Sequence, residues 1–207
     1  MIKLRNFFKS FGPKNVLRSL DLDIDSSEIV VIKGKNGSGK TTLLKALSTL
    51  EKPDDYDVAE IDEFDIVSDS EEIRSRVGFL SHNPPFYPEL SGLENLDFWL
   101  DLHPTEYGLD YASETLAKVG LIMFKDDMAG NYSRGMIQRL GFAIAIAHSP
   151  TTLLLDEPFT GLDDEGSEII EQHLIRLKED GCSILLSSHD DISFADRTLE
   201  LDQGALK

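Results

Sequence analysis

Apolar positions along the chain fall into short blocks whose period switches between two and about 3.6, and the switches outline alternating strands and helices. Ile2–Phe8 and Leu20–Ile24 alternate apolar with polar residues, the pattern of half-exposed strands. Glu28–Lys33 (EIVVIK) is a β-branched run that feeds directly into a glycine-rich turn, and Thr41–Leu50 holds good helix formers and stops before Pro53. The acidic stretch Asp54–Asp69 alternates only loosely and predicts short edge strands with a solvated face. Val77–Leu80 reads as a strand ahead of the proline-rich turn Asn83–Pro88. Helical spacing follows over Leu93–Leu102 and Ala112–Val119, with Gly120 a natural stop for the second. Arg134–His148 predicts a long helix, apolar enough in its C-terminal half to be buried. The chain then reads as strand Thr152–Leu155, helix Glu165–Asp180, strand Cys182–Leu186 and a short helix from Asp190. Two last strands, near Thr198–Leu201 and Ala205–Leu206, flank a turn at Gln203 and Gly204. This order implies an α/β fold: a mixed, mostly parallel sheet, an antiparallel edge and an inserted helical segment.

Bulk properties narrow the picture. A chain of 207 residues is long enough for one domain with a real core. A net charge of −18, from 38 acidic against 20 basic residues, opposes nucleic-acid binding, which rests on phosphate neutralisation by Lys and Arg. The longest apolar stretches, such as Leu140–Ala147, fall far short of the ~20 residues that cross a bilayer. No basic, apolar, small-residue leader opens the chain, so no signal peptide is expected and any membrane role comes through a partner. The end at Lys207 is read as leaving no room for an added regulatory domain. The single cysteine, Cys182, excludes an internal disulfide, fits a reducing cytoplasm and is expected to be a small buried residue.

The glycine-rich turn carries the first chemistry. Gly34–Thr42 reads GKNGSGKTT and matches G-x-x-x-x-G-K-[ST] through Gly34, Gly39, Lys40 and Thr41. Glycines let the backbone wind tightly, so that successive N–H groups point at a β-phosphate. Lys40 would reach the β- and γ-phosphates, Thr41 would supply a hydroxyl to Mg²⁺, and the following helix presents its positive end. The strand before and the helix after are the context this motif requires, which marks a P-loop. Gly37 belongs to the same turn, while Asn36, Ser38 and Thr42 either touch phosphate oxygens or merely suit it.

Thr152–Glu157 (TLLLDE) is a buried apolar strand ending in two carboxylates, and at the carboxyl end of a parallel strand side chains project into the ligand crevice. Asp156 would hold Mg²⁺ through water, and Glu157 would polarise an attacking water. Ile184–Leu186 is followed by Ser187-Ser188-His189-Asp190. His189 is either a cap or surface residue, or a contact to a γ-phosphate beside Asp156.

Taken in order, the cradle, the strand and linker Val77–Pro84, the helical insertion, YSRGM at Tyr132–Met136, LLLDEP, TGLD at Thr160–Asp163 and SSHD resemble the nucleotide-binding domain of ATP-binding cassette transporters. The resemblance covers essentially the whole chain. It implies a P-loop NTPase core over 1–82 and 137–207, with an antiparallel β subdomain and a helical subdomain over about 83–136. It also implies an ATPase that binds ATP and Mg²⁺ in a head-to-tail dimer. Phe11, in KSFG, sits where the family stacks an aromatic ring on adenine, an ordinary core Phe being the alternative. Ser133 and Gly135 would bind the γ-phosphate held by the second subunit, and Asp163 would bridge the two sites.

Two departures stand out. Most members carry LSGGQ; here Arg134 replaces a glycine and Met136 a glutamine. Where the family has a glutamine that senses Mg²⁺ and water, this chain has His82, whose neutral imidazole can accept or ligate through one nitrogen and would make sensing pH-dependent. His82 together with SRGM resembles the haem-exporter ATPase subunits of cytochrome c maturation. Pro84–Leu96 matches the segment that faces an integral-membrane permease, where Phe86 and Tyr87 either meet a short permease helix or pack among the prolines. The family places such subunits at the cytoplasmic face of the membrane. A soluble cassette acting on DNA or ribosomes is opposed by the acidic balance and the missing coiled coil. A non-hydrolysing regulator is opposed by Lys40, Asp156, Glu157 and His189 together.

Overall fold

The computed structural model describes residues 1–103, 105 and 107–207. Its centre is a six-stranded sheet ordered β10-β9-β3-β8-β7-β6, with β3 (Ile29–Lys33), β6 (Val77–Leu80), β7 (Thr152–Asp156), β8 (Ser183–Ser187) and β9 (Arg197–Asp202) parallel. Only β10 (Ala205–Leu206) runs antiparallel. A four-stranded antiparallel sheet, β2-β1-β4-β5, packs against one face of it; it comprises β1 (Ile2–Phe11), β2 (Lys14–Ile24), β4 (Val58–Ile61) and β5 (Phe64–Asp65).

The two-residue period of the central strands divides the interior. Ile29, Val31, Leu153, Leu155, Ile184 and Leu186 point to one core, shared with α5 (Arg134–Ile146) and α6 (Asp164–Glu179). Val30, Ile32, Leu154 and Leu185 point to the other, which α1 (Lys40–Leu47) and the antiparallel sheet close. Burial on both faces explains why these strands read as continuous apolar runs rather than as alternations. Each such side chain contributes roughly 1.5–3 kcal/mol, so the ends of β7 and β8 stand on a rigid base. On the first face α3 (Gly92–Leu100) and α4 (Leu109–Lys118) pack against α5, and Gly120 (φ +70) ends the last of them.

Several expectations need correction. The first two strands form one long hairpin over Ile2–Ile24; its register shifts at Asn6 and Ser19, both in the left-handed region, interrupt the alternation that sequence reading relies on. Of the acidic stretch, β5 is an edge but β4 lies inside the sheet, paired with β1 and β5. A seven-residue helix, α2 (Ser70–Arg76), follows; Ile73 is its one buried side chain, so no amphipathic period announces it, and Glu72 pairs with Arg76 on its surface. No regular helix starts at Asp190. The segment is pulled open because Asp191 pairs with Lys33, and Asp196 accepts from the Ile29 N–H and pairs with Lys178. Cys182 lies just ahead of β8, buried, and burial pushes its thiol up to about 12. Among the described residues no helix is long and apolar enough to cross a membrane.

Candidate functional site

The loops that leave β3, β6, β7 and β8 emerge at the same carboxyl edge and converge on a cavity of about 750 Å³. Phe11, at the end of β1, and Lys14 and Val16, at the start of β2, close its side. Asn36, Gly37, Ser38, Gly39, Lys40, Thr41 and Thr42 form its floor, and His82, Asp156, Glu157, Thr160 and His189 line the rest.

Crowding and dihedral angles explain the floor. A Cβ on Gly34 would fall 2.3 Å from the Leu201 carbonyl oxygen of β9, and one on Gly39 2.8 Å from Leu17 Cδ2. Gly39, at φ +114, is also the N-cap of α1 and offers no side chain, so the first N–H groups of that helix are left to the cavity. Lys40 is buried and its Nζ donates to the Gly34 carbonyl at 2.6 Å, which keeps the ammonium over the turn. Ser38 Oγ is buried and has no hydrogen-bond partner among the described residues. Lys14, Lys35 and Lys40 set a positive field against Asp156 and Glu157, in a chain that is otherwise strongly acidic.

The carboxylates are held by a short network. Asp156 accepts from Thr41 Oγ1 and from Ser187 Oγ, both at 2.7 Å, so its two oxygens join the cradle to β8. Ser187 Oγ in turn accepts from the Glu157 N–H at 2.9 Å. Glu157 has φ +54, a left-handed turn that costs a non-glycine residue about 1–2 kcal/mol. Gln138, buried on α5, donates to the Glu157 carbonyl at 3.3 Å and to that of Pro158 at 3.2 Å, which over-determines the turn. The Glu157 side chain is 15% exposed, and His189 Nε2 lies 3.2 Å from its Oε1. That approach is not aligned as a hydrogen bond, so Oε1 is a buried acceptor without a partner among the described residues.

The family model described as "ABC transporter" matches residues 17–160. The chain is 34% identical over 211 residues to the uncharacterized ABC transporter ATP-binding protein YdbJ of Bacillus subtilis (strain 168), covering all of this chain and 68% of that protein. It is 36% identical to the bacitracin transport ATP-binding protein BcrA of Enterococcus faecalis, over 91% of this chain and 61% of BcrA. The chain thus spans roughly two-thirds of the length of these two relatives. A solved dimeric structure, the post-hydrolysis state of the ATP-binding cassette MJ0796 bound to ADP and Pi, superposes with a TM-score of 0.92 at 29% identity, over all of this chain and 97% of that one. The chain belongs to the ATP-binding cassette transporter family.

As an ATPase of that family, the cassette binds ATP. Phe11 is 47% exposed beside the cavity, with Lys9 Nζ 5.1 Å from its ring centroid, so it is not a core residue. His82 is exposed and lines the same cavity as Thr41 and Asp156. Among the described residues no three His, Cys, Asp or Glu side chains gather as a metal cage.

Ser133, Gly135 and Asp163 line no part of this cavity but lie together elsewhere on the cassette. Ser133 caps α5, its Oγ accepting from the Met136 N–H at 3.2 Å. A Cβ on Gly135 would fall 3.1 Å from the Gly161 carbonyl oxygen, so the start of α5 rests on the Thr160–Asp163 segment. Asp163 caps α6 by accepting from the Gly166 N–H at 2.8 Å. Phe86 packs against the core whereas Tyr87 is exposed and meets Phe98 edge-on at 4.8 Å.

Two residues of this network, Ser187 and Gln138, do not stand out in the sequence. Ser187 carried a signal, as the first polar residue after a buried strand; Gln138 carried one too, as a polar side chain in a helix face that the spacing buries.

Proposed function

We propose that this cassette is the ATP-binding subunit of a transporter, working in a head-to-tail dimer beneath a separate integral-membrane permease at the cytoplasmic face of the cell membrane. The observation that carries the reading is the partnerless Glu157 Oε1 beside a lysine-lined, N–H-rich cradle. Phe11 stacks on adenine, while Gly34, Asn36, Gly37, Ser38, Gly39, Lys40, Thr41 and Thr42 hold the phosphates. Glu157 accepts a proton from the water that attacks the γ-phosphorus as the β–γ bridging bond breaks, and His189 contacts the γ-phosphate. The 2.7 Å contact between Thr41 Oγ1 and Asp156 Oδ2 fits a hard divalent cation. Mg²⁺ bound by those two residues would neutralise phosphate charge. Imidazole is a poor ligand for Mg²⁺, so His82 acts through water. Ser133 and Gly135 face the nucleotide of the partner subunit, and Asp163 lies at the junction between the two.

The division into a core over 1–82 and 137–207 and a helical insertion over 83–136 supports a place for the permease. Between these parts runs an apolar groove of about 830 Å³, bounded by Phe79, Pro84, Trp99, Leu100 and Leu102. Its rim carries Lys45 and Arg74 against Glu71, which favours an acidic, amphipathic permease helix over a basic one. Haem export is the finer reading of cargo, supported by His82 with the SRGM run; haem-dependent stimulation of the reconstituted complex tests it.

Glu157→Gln is the decisive variant. Turnover is expected to fall by about 10²–10⁴-fold, while ATP, but not ADP, yields a stable dimer. Undiminished turnover removes Glu157 as the base. Cofractionation of the native protein with ribosomes or DNA without detergent, in place of co-purification with a multi-span membrane protein, overturns the transport reading.

A further inference from the structure

Arg134 stands where the family resemblance expects glycine, and its side chain is neither disordered over the surface nor folded onto an acid. A Cβ built on Gly161 (φ +80) would fall 2.9 Å from Arg134 Cδ, 3.0 Å from Nε and 3.1 Å from Cγ. The stem of Arg134 therefore lies flat on a bare backbone, and only glycine at position 161 leaves room for it. Arg5 pairs with Asp23, Arg76 with Glu72 and Arg197 with Glu28, while Arg139 donates to the Val119 and Gly120 carbonyls and Arg74 to the Thr49 hydroxyl; Arg18 and Arg176 share with Arg134 the lack of a side-chain partner among the described residues, but neither adjoins Ser133 and Gly135. Among the described residues Arg134 makes no hydrogen bond or ion pair, although acidic residues outnumber basic ones 38 to 20. An arginine with a seated stem and an unused guanidinium is pre-organised for an anion that arrives from outside the chain.

Its neighbours say which anion. Arg134 lies between Ser133 and Gly135, and Gly161 follows Thr160, which lines the nucleotide cavity. We propose that Arg134 contacts the triphosphate held by the partner subunit, adding a cation across the interface to the hydroxyl of Ser133 and the N–H of Gly135. The inference rests on the head-to-tail reading above. A guanidinium there senses the terminal phosphate, so it favours closure on ATP over closure on ADP, in the manner of an arginine supplied in trans.

The test uses the full chain carrying Glu157→Gln, with dimer formation followed by sedimentation across ATP and salt concentrations. Adding Arg134→Gln keeps a polar stem and removes the charge. It is expected to weaken ATP-dependent dimerisation about 10- to 100-fold and to flatten its salt dependence, with Arg134→Lys recovering part of the loss. ADP affinity of the monomer stays unchanged. Parent-like dimerisation and salt dependence in Arg134→Gln overturn the inference. So does a defect confined to Arg134→Gly, which would assign Arg134 to packing on Gly161 alone. If the Glu157→Gln parent forms no ATP-dependent dimer, the head-to-tail reading fails and this inference falls with it.

Discussion

The nucleotide cavity and the groove beside it are similar in size, about 750 and 830 Å³, and share Thr41, His82 and Asp156 as a common wall. Their chemistry is opposite. The cavity is floored by backbone N–H groups and lysines and holds two buried oxygens without a partner among the described residues, Ser38 Oγ and Glu157 Oε1. The groove is walled by aromatic and aliphatic side chains and holds a buried indole donor without a partner among the described residues, Trp99 Nε1, beside the buried imidazole of His148. Burying a polar group without a partner costs a few kcal/mol. One site is built to meet phosphate and water, the other to meet hydrogen-bonding groups on an apolar surface.

The largest effect is expected on the polar side. Lys40→Ala removes the ammonium held over the glycine turn, and ATP affinity should fall by at least about 100-fold; calorimetric titration measures it. Retained affinity would mean that the helix N-terminus and Lys35 suffice, and would weaken the contrast with the groove.

Next comes His148, within the apolar wall. Burial, with His103 stacked on it at 4.1 Å, holds its imidazole down at about 4 against an ordinary 6.5. The folded state favours the neutral ring, so the associated stability is complete above about pH 6.5. It is lost as the pH falls towards 4, because the unfolded chain takes up a proton that the folded chain refuses. The difference corresponds to about 3 kcal/mol. Melting temperatures between pH 7 and 4 should fall more steeply for the parent than for His148→Phe, and parallel profiles would refute the assignment.

The smallest effect separates docking from catalysis. Trp99→Phe keeps most of the ring and deletes the N–H, and should weaken association with the permease about 5- to 10-fold while leaving ATP affinity unchanged. Unaltered association would mean that the groove binds through apolar area alone.

These two regions were unequally visible in the sequence. The cradle, Asp156, Glu157 and His189 are contiguous runs at strand ends, where chain order and spatial order coincide, and the structure brings them to one cavity. The groove is legible only through Pro84 and Pro85 of the Pro84–Leu96 segment, because Leu50, Phe79, Trp99, Leu102 and His148 come from distant segments and meet only after folding. The same reason hid Gln138, whose partners lie at Glu157 and Pro158. Strands buried on both faces are legible to within a residue or so at their ends, since uninterrupted β-branched and leucine runs leave little choice. Both strands of the hairpin over Ile2–Ile24 are legible but read too short, because the bulges at Asn6 and Ser19 shift the period, and α2 is hidden because Ile73 alone carries its apolar face.

The left-handed turn at Glu157 has a consequence for how this chain responds to selection. A glycine there would relax the backbone and favour the folded state, yet it would remove the proposed proton acceptor. Stability and turnover therefore pull in opposite directions at this one position. A population of variants sorted only for heat resistance is expected to drift away from glutamate at this position, and one sorted for turnover to keep it.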